Sequence, residues 1–267
     1  MENKSPELEI AIKAALEAGK ILEKYFDTEI VGKTKDDSTI VAEADGEAEE
    51  AINKIILAAF PRHSIMGEET GHTNNQGEHT WYIDPLDGTK NFIKHLPLFA
   101  VSIALEYKNE IILGVVYNPG TQSLFYAEKG KGAFLNDKKI SVSKSDLKHS
   151  ILCAGKGNKD TDRKLSRTLI YSLPDALPGL TVRDIGCTAL DLAYLASGGF
   201  EAGIHVGLRG YDFAAGTLLV QEAGGKIINF DGSMWKFPDR YFSTSNGVFH
   251  DKLIEEIKRQ KEKLGIQ

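Results

Sequence analysis

Asp84 and Asp87 stand three residues apart in Trp81-Tyr82-Ile83-Asp84-Pro85-Leu86-Asp87-Gly88-Thr89-Lys90-Asn91-Phe92. The apolar run Trp81 to Ile83 reads as the end of a buried strand. Pro85 fixes its own φ and holds Asp84 in an extended conformation. Gly88 allows a sharp turn and lets a ligand approach bare backbone. Two carboxylates and several free N–H groups would therefore surround one point. Carboxylates hold a hard divalent cation and turn N–H groups hold an anion, so such a point suits a metal-bridged phosphate. Asp-Pro and Asp-Gly are also common turn dipeptides, and taken alone the stretch reads equally well as a tight turn.

Three further acidic stations bear on the choice. Glu68 follows a short strand, Asp212 opens a helix rich in glycine and alanine, and Asp45 lies at the start of an earlier helix. Each has a plain alternative: Glu68-Glu69 as a solvated pair, Asp212 as a helix cap, Asp45 as a favourable charge at a helix N-terminus. If they converge, each pair at ~4 Å repels by about 4 kcal/mol at an effective dielectric near 20. Such a cluster needs cations to stay ionised. All-oxygen ligands select Mg²⁺, Mn²⁺ or Ca²⁺ over zinc.

The elements that must position these residues follow from periodicity and punctuation. Ser5-Pro6-Glu7 starts a helix whose apolar face runs through Leu8, Ile12, Leu16, Gly19, Leu22 and Phe26. Lys33 to Ala44 is polar and charged, and reads as a mobile loop or weak hairpin, a candidate lid beside Asp45. Ala48, Ile52, Ile55, Ile56 and Ala59 form a second amphipathic helix closed by Phe60-Pro61. Ser64 to Met66 is a short strand, and His72 to His79 an exposed loop. Strands at 100–105, 111–117 and 123–127, with turns at Asn118-Pro119-Gly120, Gly130-Lys131-Gly132 and Asn136-Asp137, make an antiparallel meander. From residue 151 strands and helices alternate. Strands are predicted at 151–154, 182–185, 202–206 and 226–229, and helices at 162–172, 188–196, 212–223 and 250–264, with Pro174 and Pro178-Gly179 marking a loop. This pattern calls for a sheet with helices on its faces.

Composition narrows the function classes. The chain has 267 residues, 42% hydrophobic and 26% charged, with a net charge of −6 and a pI near 5.7. An acidic chain argues against a nucleic-acid surface, which needs a basic patch. A small anionic substrate stays compatible, because bound cations invert the local charge. Cys153 and Cys187 lack metal-type spacing and read as reduced core thiols of a cytoplasmic protein. The polar start and the lack of any long apolar run predict neither signal peptide nor membrane span.

The chain resembles the inositol monophosphatase family of magnesium-dependent, lithium-sensitive phosphatases over nearly its whole length. The family's first signature is similar to residues 81–92, its upstream Gly-Glu-Glu to Gly67-Glu68-Glu69, and its C-terminal signature to Tyr211-Asp212-Phe213-Ala214-Ala215-Gly216 followed by Glu222-Ala223-Gly224-Gly225. Three ordered motifs are far more specific than any one of them. The resemblance implies a single domain with a layered α-β-α-β-α sandwich, of α+β class. Its N-terminal α+β half would cover about 1–145 and its C-terminal α/β half about 146–267. It implies two or three Mg²⁺ ions: one on Glu68, Asp84 and the Leu86 carbonyl, a second on Asp84, Asp87 and Asp212, and a weaker third on Glu68. Gly88 and Thr89 would donate to the phosphate, and Asp45 and the Thr89 hydroxyl would orient the attacking water. Gly186 and Thr188 fall where the family contacts the organic part of the substrate. A homodimer is also implied. The reaction expected is hydrolysis of a small phosphorylated polyol such as inositol 1-phosphate. Alternatives are a 3′(2′),5′-bisphosphate nucleotidase, a histidinol-phosphate or fructose-1,6-bisphosphate phosphatase, or a binding protein without turnover. The Asp-x-x-Asp-x-Thr spacing differs from the Asp-x-Asp-x-Thr of aspartyl-phosphate phosphatases, which disfavours a covalent route.

Departures from the family pattern bear on specificity. Tyr211 replaces the usual tryptophan, which reads as a packing change. Ala42 stands where threonine is frequent. His205 occupies the place of a glutamate that binds sugar hydroxyls, and reads either as a substrate contact or as a surface histidine at a strand end. Lys90 and Arg209 are candidates for a second anionic group.

Overall fold

The computed structural model describes residues 4–26, 37–157 and 159–264. Helix α1 (Pro6–Phe26) starts where predicted, with the Ser5 hydroxyl accepting from the Leu8 N–H at 3.1 Å. Helix α2 (Asp37–Ala59) begins earlier than the apolar pattern shows. Residues 37–44 of the expected loop are thus helical, and Lys33 to Asp36 lie outside the described residues. Asp45 consequently sits in the third turn of α2, and the role of a charge at a helix start does not hold for it.

Strands β1 (Ser64–Gly67), β2 (Gly71–Thr73), β3 (His79–Asp87), β4 (Ala100–Tyr107), β5 (Glu110–Asn118), β6 (Ser123–Glu128), β7 (Gly132–Leu135) and β8 (Lys138–Ile140) form an eight-stranded sheet in the order β2-β1-β3-β4-β5-β6-β7-β8. From β3 onward it is the predicted antiparallel meander; β1 runs parallel to β3. The expected exposed loop 72–79 is partly strand, because β2 pairs back on β1. A five-residue helix, α3 (Thr89–Ile93), follows β3.

The second sheet contains β9 (Ile151–Lys156), β10 (Thr181–Arg183), β11 (Ala202–Val206), β12 (Lys226–Asn229) and β13 (Tyr241–Ser245) in the order β10-β9-β11-β13-β12. Helices α4 (Asp160–Ala176), α5 (Thr188–Ala196), α6 (Gly210–Glu222) and α7 (His250–Leu264) flank it. Pro174 lies inside the last turns of α4 rather than in a loop.

Five layers result. Helices α1 and α2 cover one face of the first sheet, α5 and α6 fill the space between the sheets, and α4 and α7 cover the far face of the second. Three apolar cores correspond to the three interfaces. The middle layer needs small residues, since α6 is clamped between two sheets and α5. A Cβ on Gly216 would lie 2.5 Å from Leu192, and one on Gly114 of β5 would lie 2.7 Å from the Ala215 carbonyl. No helix among the described residues is long and apolar enough to cross a membrane.

Candidate active site

The C-terminal end of β3 is the hub of the acidic cluster. In a regular strand, residues three apart point to opposite faces. The pairing of β3 with β4 passes from Asp84 opposite Ser102 to Asp87 opposite Ala100, so β3 carries one extra residue there. This bulge, which also accommodates Pro85, turns Asp84 and Asp87 toward the same side. The Asp84 carboxylate accepts from the Leu86 N–H at 3.0 Å, closing a local turn. Gly88 then adopts φ +92°, and a Cβ there would lie 2.6 Å from the Leu98 carbonyl. Only glycine meets both demands. The Thr89 hydroxyl lies 3.3 Å from the Leu86 carbonyl.

Long-range contacts bring the other stations to this turn. The Glu68 N–H donates to the Ile83 carbonyl at 3.1 Å, which seats Glu68 beside Asp84. The Asp87 carboxylate accepts from the Ala189 N–H at 2.6 Å and faces the Cys187 thiol at 3.3 Å. It therefore caps α5 from outside and fixes Gly186 and Thr188 next to the turn. Asp212, the third residue of α6, accepts from the Arg209 N–H at 2.7 Å. Asp45 of α2 is 6% exposed, and its Oδ1 has no hydrogen-bond partner.

The electrostatics confirm that the five acids share one environment. Burial, then the charges of Asp87, Glu68, Asp212 and Asp45, pushes Asp84 well above the usual carboxylate range. Burial and the nearby charges of Glu69, Glu68 and Glu49 raise Asp45 to about 8. Asp87 rises to about 7 through burial, against the pull of the Ala189 N–H. Burial lifts Asp212 to about 6, held down by the Arg209 N–H and by the charges of Arg209 and Arg240. Glu68, the most open of the set, is raised by the protein crowded around its carboxylate and by Asp212. Among the described residues no three of these groups stand ready-made as a coordination shell. The donor set nonetheless fits a hard divalent ion: it is all oxygen, one buried oxygen is orphaned, and mutual repulsion leaves the acids protonated until a cation compensates them.

Two positioning residues escaped the sequence reading. Glu49, fully buried one turn after Asp45, accepts from the N–H groups of Glu69 at 2.8 Å and Thr70 at 3.0 Å, and so holds the turn that carries Glu68. Its i+4 spacing from Asp45 was the available signal. Ser102, the strand partner of Asp84, donates to the Tyr211 carbonyl at 3.2 Å and ties α6 to the hub.

His205 departs from both of its sequence readings. It is fully buried, stacked on Phe242 at 4.7 Å, with Nε2 3.1 Å from the Thr244 hydroxyl. It is therefore neither a surface residue nor an open substrate contact. Glycines 155 and 203 leave room for the ring; a Cβ on Gly203 would lie 2.7 Å from Nε2. Burial pushes its pKa down to about 3, so the imidazole is neutral. Lys90 is exposed on α3. Arg209 lies at the rim of the cluster with its guanidinium on the Tyr211 hydroxyl, a contact a tryptophan could not make.

Known proteins share this arrangement. The inositol monophosphatase family model matches residues 3–262. An inositol-1-monophosphatase of Mesorhizobium japonicum is 34% identical over 256 residues, covering 94% of this chain and 96% of that protein. A protein of Pseudomonas aeruginosa named Nus factor SuhB is 40% identical over 237 residues, covering 85% and 87%. The inositol monophosphatase structure from Anabaena (Nostoc) sp. PCC 7120 superposes with a TM-score of 0.83 at 35% identity, covering 94% and 95%. With a match over nearly its whole length, this chain belongs to the inositol monophosphatase family, whose members are phosphoric monoester hydrolases.

Proposed function

We propose that this phosphatase hydrolyses a small phosphorylated polyol, with inositol 1-phosphate as the first candidate, and uses Mg²⁺. The observation that carries the proposal is the gathering of Asp45, Glu68, Asp84, Asp87 and Asp212 around one glycine turn. Glu68, Asp84 and the Leu86 carbonyl would hold one ion. Asp84, Asp87 and Asp212 would hold another, and a weaker third would lean on Glu68. Bound there, Mg²⁺ supplies Lewis acidity and a water of lowered pKa.

The chain's own groups supply positioning. The N–H groups of Gly88 and Thr89 would receive the phosphate oxygens at the start of α3. The unpaired Asp45 Oδ1 is an acceptor for a proton of the attacking water, and the Thr89 hydroxyl would orient the same water. Fixed donors and acceptors at a closed turn favour in-line attack without a protein nucleophile. Gly186 and Thr188, anchored through the Asp87 to Ala189 bond, would meet the organic part. With a neutral, buried histidine at 205, that position offers the ring hydroxyls no acceptor. This supports a substrate range wider than that of a dedicated inositol enzyme.

The test is a panel of inositol 1-phosphate, 3′-phosphoadenosine 5′-phosphate, histidinol phosphate and fructose 1,6-bisphosphate. Inositol 1-phosphate should be hydrolysed, with at least one other substrate within tenfold in kcat/KM. Turnover of another substrate with none of inositol 1-phosphate would reject the polyol assignment. The 40% identity to a protein named a Nus factor favours a second reading, a binding role on the same fold. Failure to release phosphate from any panel member would favour it.

A further inference from the structure

A cavity of about 730 Å³ lies on the outer side of the second sheet, lined from the first turns of α4, the ends of β12 and β13, and Lys261 of α7. None of the five clustered acids lines it. Its volume is that of a site for a small molecule.

The charges around it are unevenly satisfied. Three acids line the cavity and all three are engaged within the protein. Asp231 accepts from the Ser233 N–H at 2.8 Å. Asp239 accepts from the Asn229 side chain at 2.9 Å and the Lys236 N–H at 3.2 Å. Asp162 accepts from the Tyr241 hydroxyl at 2.9 Å. The cations are less committed. Neither Lys164 nor Lys261 has a hydrogen-bond or ion-pair partner among the described residues. Arg240 is the third. A wall with its acids paired and its lysines free attracts an anion. The second oxygen of Asp162, a side chain only 2% exposed, lacks a donor. A ligand that also carries hydroxyls matches this unpaired acceptor.

Arg240 connects the cavity to the metal-ligand helix. Its guanidinium donates to the carbonyls of Gly207 and Leu208, and its own carbonyl accepts from the Gly207 N–H at 2.9 Å. The next residue, Arg209, holds the Asp212 carboxylate through its N–H. An anion on Arg240 therefore bears on the loop that sets Asp212.

We propose that this cavity is a second ligand site, distinct from the acidic cluster, that takes a hydroxylated phosphate ester and couples through Arg240 to the loop of Asp212. The reading can be tested apart from catalysis in metal-free protein, where the protonated or repelling acids of the first site give an anion no cation to bind. Isothermal calorimetry with ribose 5-phosphate as probe should show one site per chain. Charge reversal of two surface residues, Lys164→Glu with Lys261→Glu, should weaken binding at least tenfold, and Thr89→Ala should leave it unchanged. On saturation the amide resonances of Gly207 and Leu208 should shift. No binding at millimolar probe, equal binding by the double variant, or loss of binding in Thr89→Ala would overturn the site. Binding without movement of the Gly207 and Leu208 resonances would overturn the coupling.

Discussion

Replacing Asp45 by asparagine isolates the cost of gathering carboxylates around a metal site. Asp45 is buried in the third turn of α2, and its pKa is pushed from 3.8 to about 8 by burial first and then by the charges of Glu69, Glu68 and Glu49. Between about pH 4 and pH 8 the metal-free folded chain holds this proton while the unfolded chain releases it. The folded state then binds more protons, so its stability falls as pH rises through that window. A shift of about four units at ~1.4 kcal/mol per unit sets a ceiling of about 6 kcal/mol. Neighbouring acids share protons and relax the site, so about 2 kcal/mol is expected at pH 8. Asparagine keeps the shape of the protonated acid and never ionises. In chelator-treated protein, Asp45→Asn and wild type should unfold within a degree or two of each other at pH 5. At pH 8 the variant should melt about 4–8 °C higher. Thermal unfolding followed by circular dichroism reads the difference, and added Mg²⁺ should raise the wild type at pH 8 by binding the folded state. A gap that does not change between pH 5 and pH 8, or a wild type that is the more stable at pH 8, would refute the reasoning.

Other perturbations follow from the same geometry. Gly88→Ala forces a Cβ against the Leu98 carbonyl at a positive φ, and should cost about 2 kcal/mol in urea unfolding and most of the phosphatase activity. Gly114→Ala places a Cβ 2.7 Å from the Ala215 carbonyl and should shift α6, lowering stability by about 1–3 kcal/mol and weakening Mg²⁺ activation in a metal titration. His205→Glu buries a carboxylate in a closed site and should lower the melting temperature sharply. It should not redirect selectivity between inositol 1-phosphate and fructose 1,6-bisphosphate; a selective gain on inositol 1-phosphate without loss of stability would show that the side chain reaches substrate.

Much of this was legible in the sequence, for identifiable reasons. The Ser5 cap, the glycine pair after Ala196 and the apolar alternation of 100–105 are local signals, and the elements they mark form where expected. Strand β13 carries no such signal: Ser243, Thr244 and Ser245 are fully buried in a central strand, where a polar run reads as loop. The start of α2 is polar for the same length as a lid would be, so its helical character was hidden. At the site, Asp84, Asp87 and Gly88 declare themselves by spacing. What brings them to Asp45 and Asp212 does not, because Glu49, Ser102 and the Asp87 cap on α5 act across 20 to 109 residues of sequence. The burial of His205 depends on glycines at 155 and 203 on neighbouring strand positions, which only the register of β9 and β11 reveals.

The central claim is that carboxylates converging on the end of β3 make a Mg²⁺-dependent phosphatase. Phosphate release from inositol 1-phosphate, measured with saturating Mg²⁺ and again after chelation, in wild type and Asp212→Asn, tests it most directly. The account predicts turnover only for wild type with Mg²⁺, and a loss of at least a hundredfold in Asp212→Asn while its fold stays intact by circular dichroism. Comparable turnover in wild type after chelation, or near-normal turnover of Asp212→Asn at saturating Mg²⁺, would contradict it.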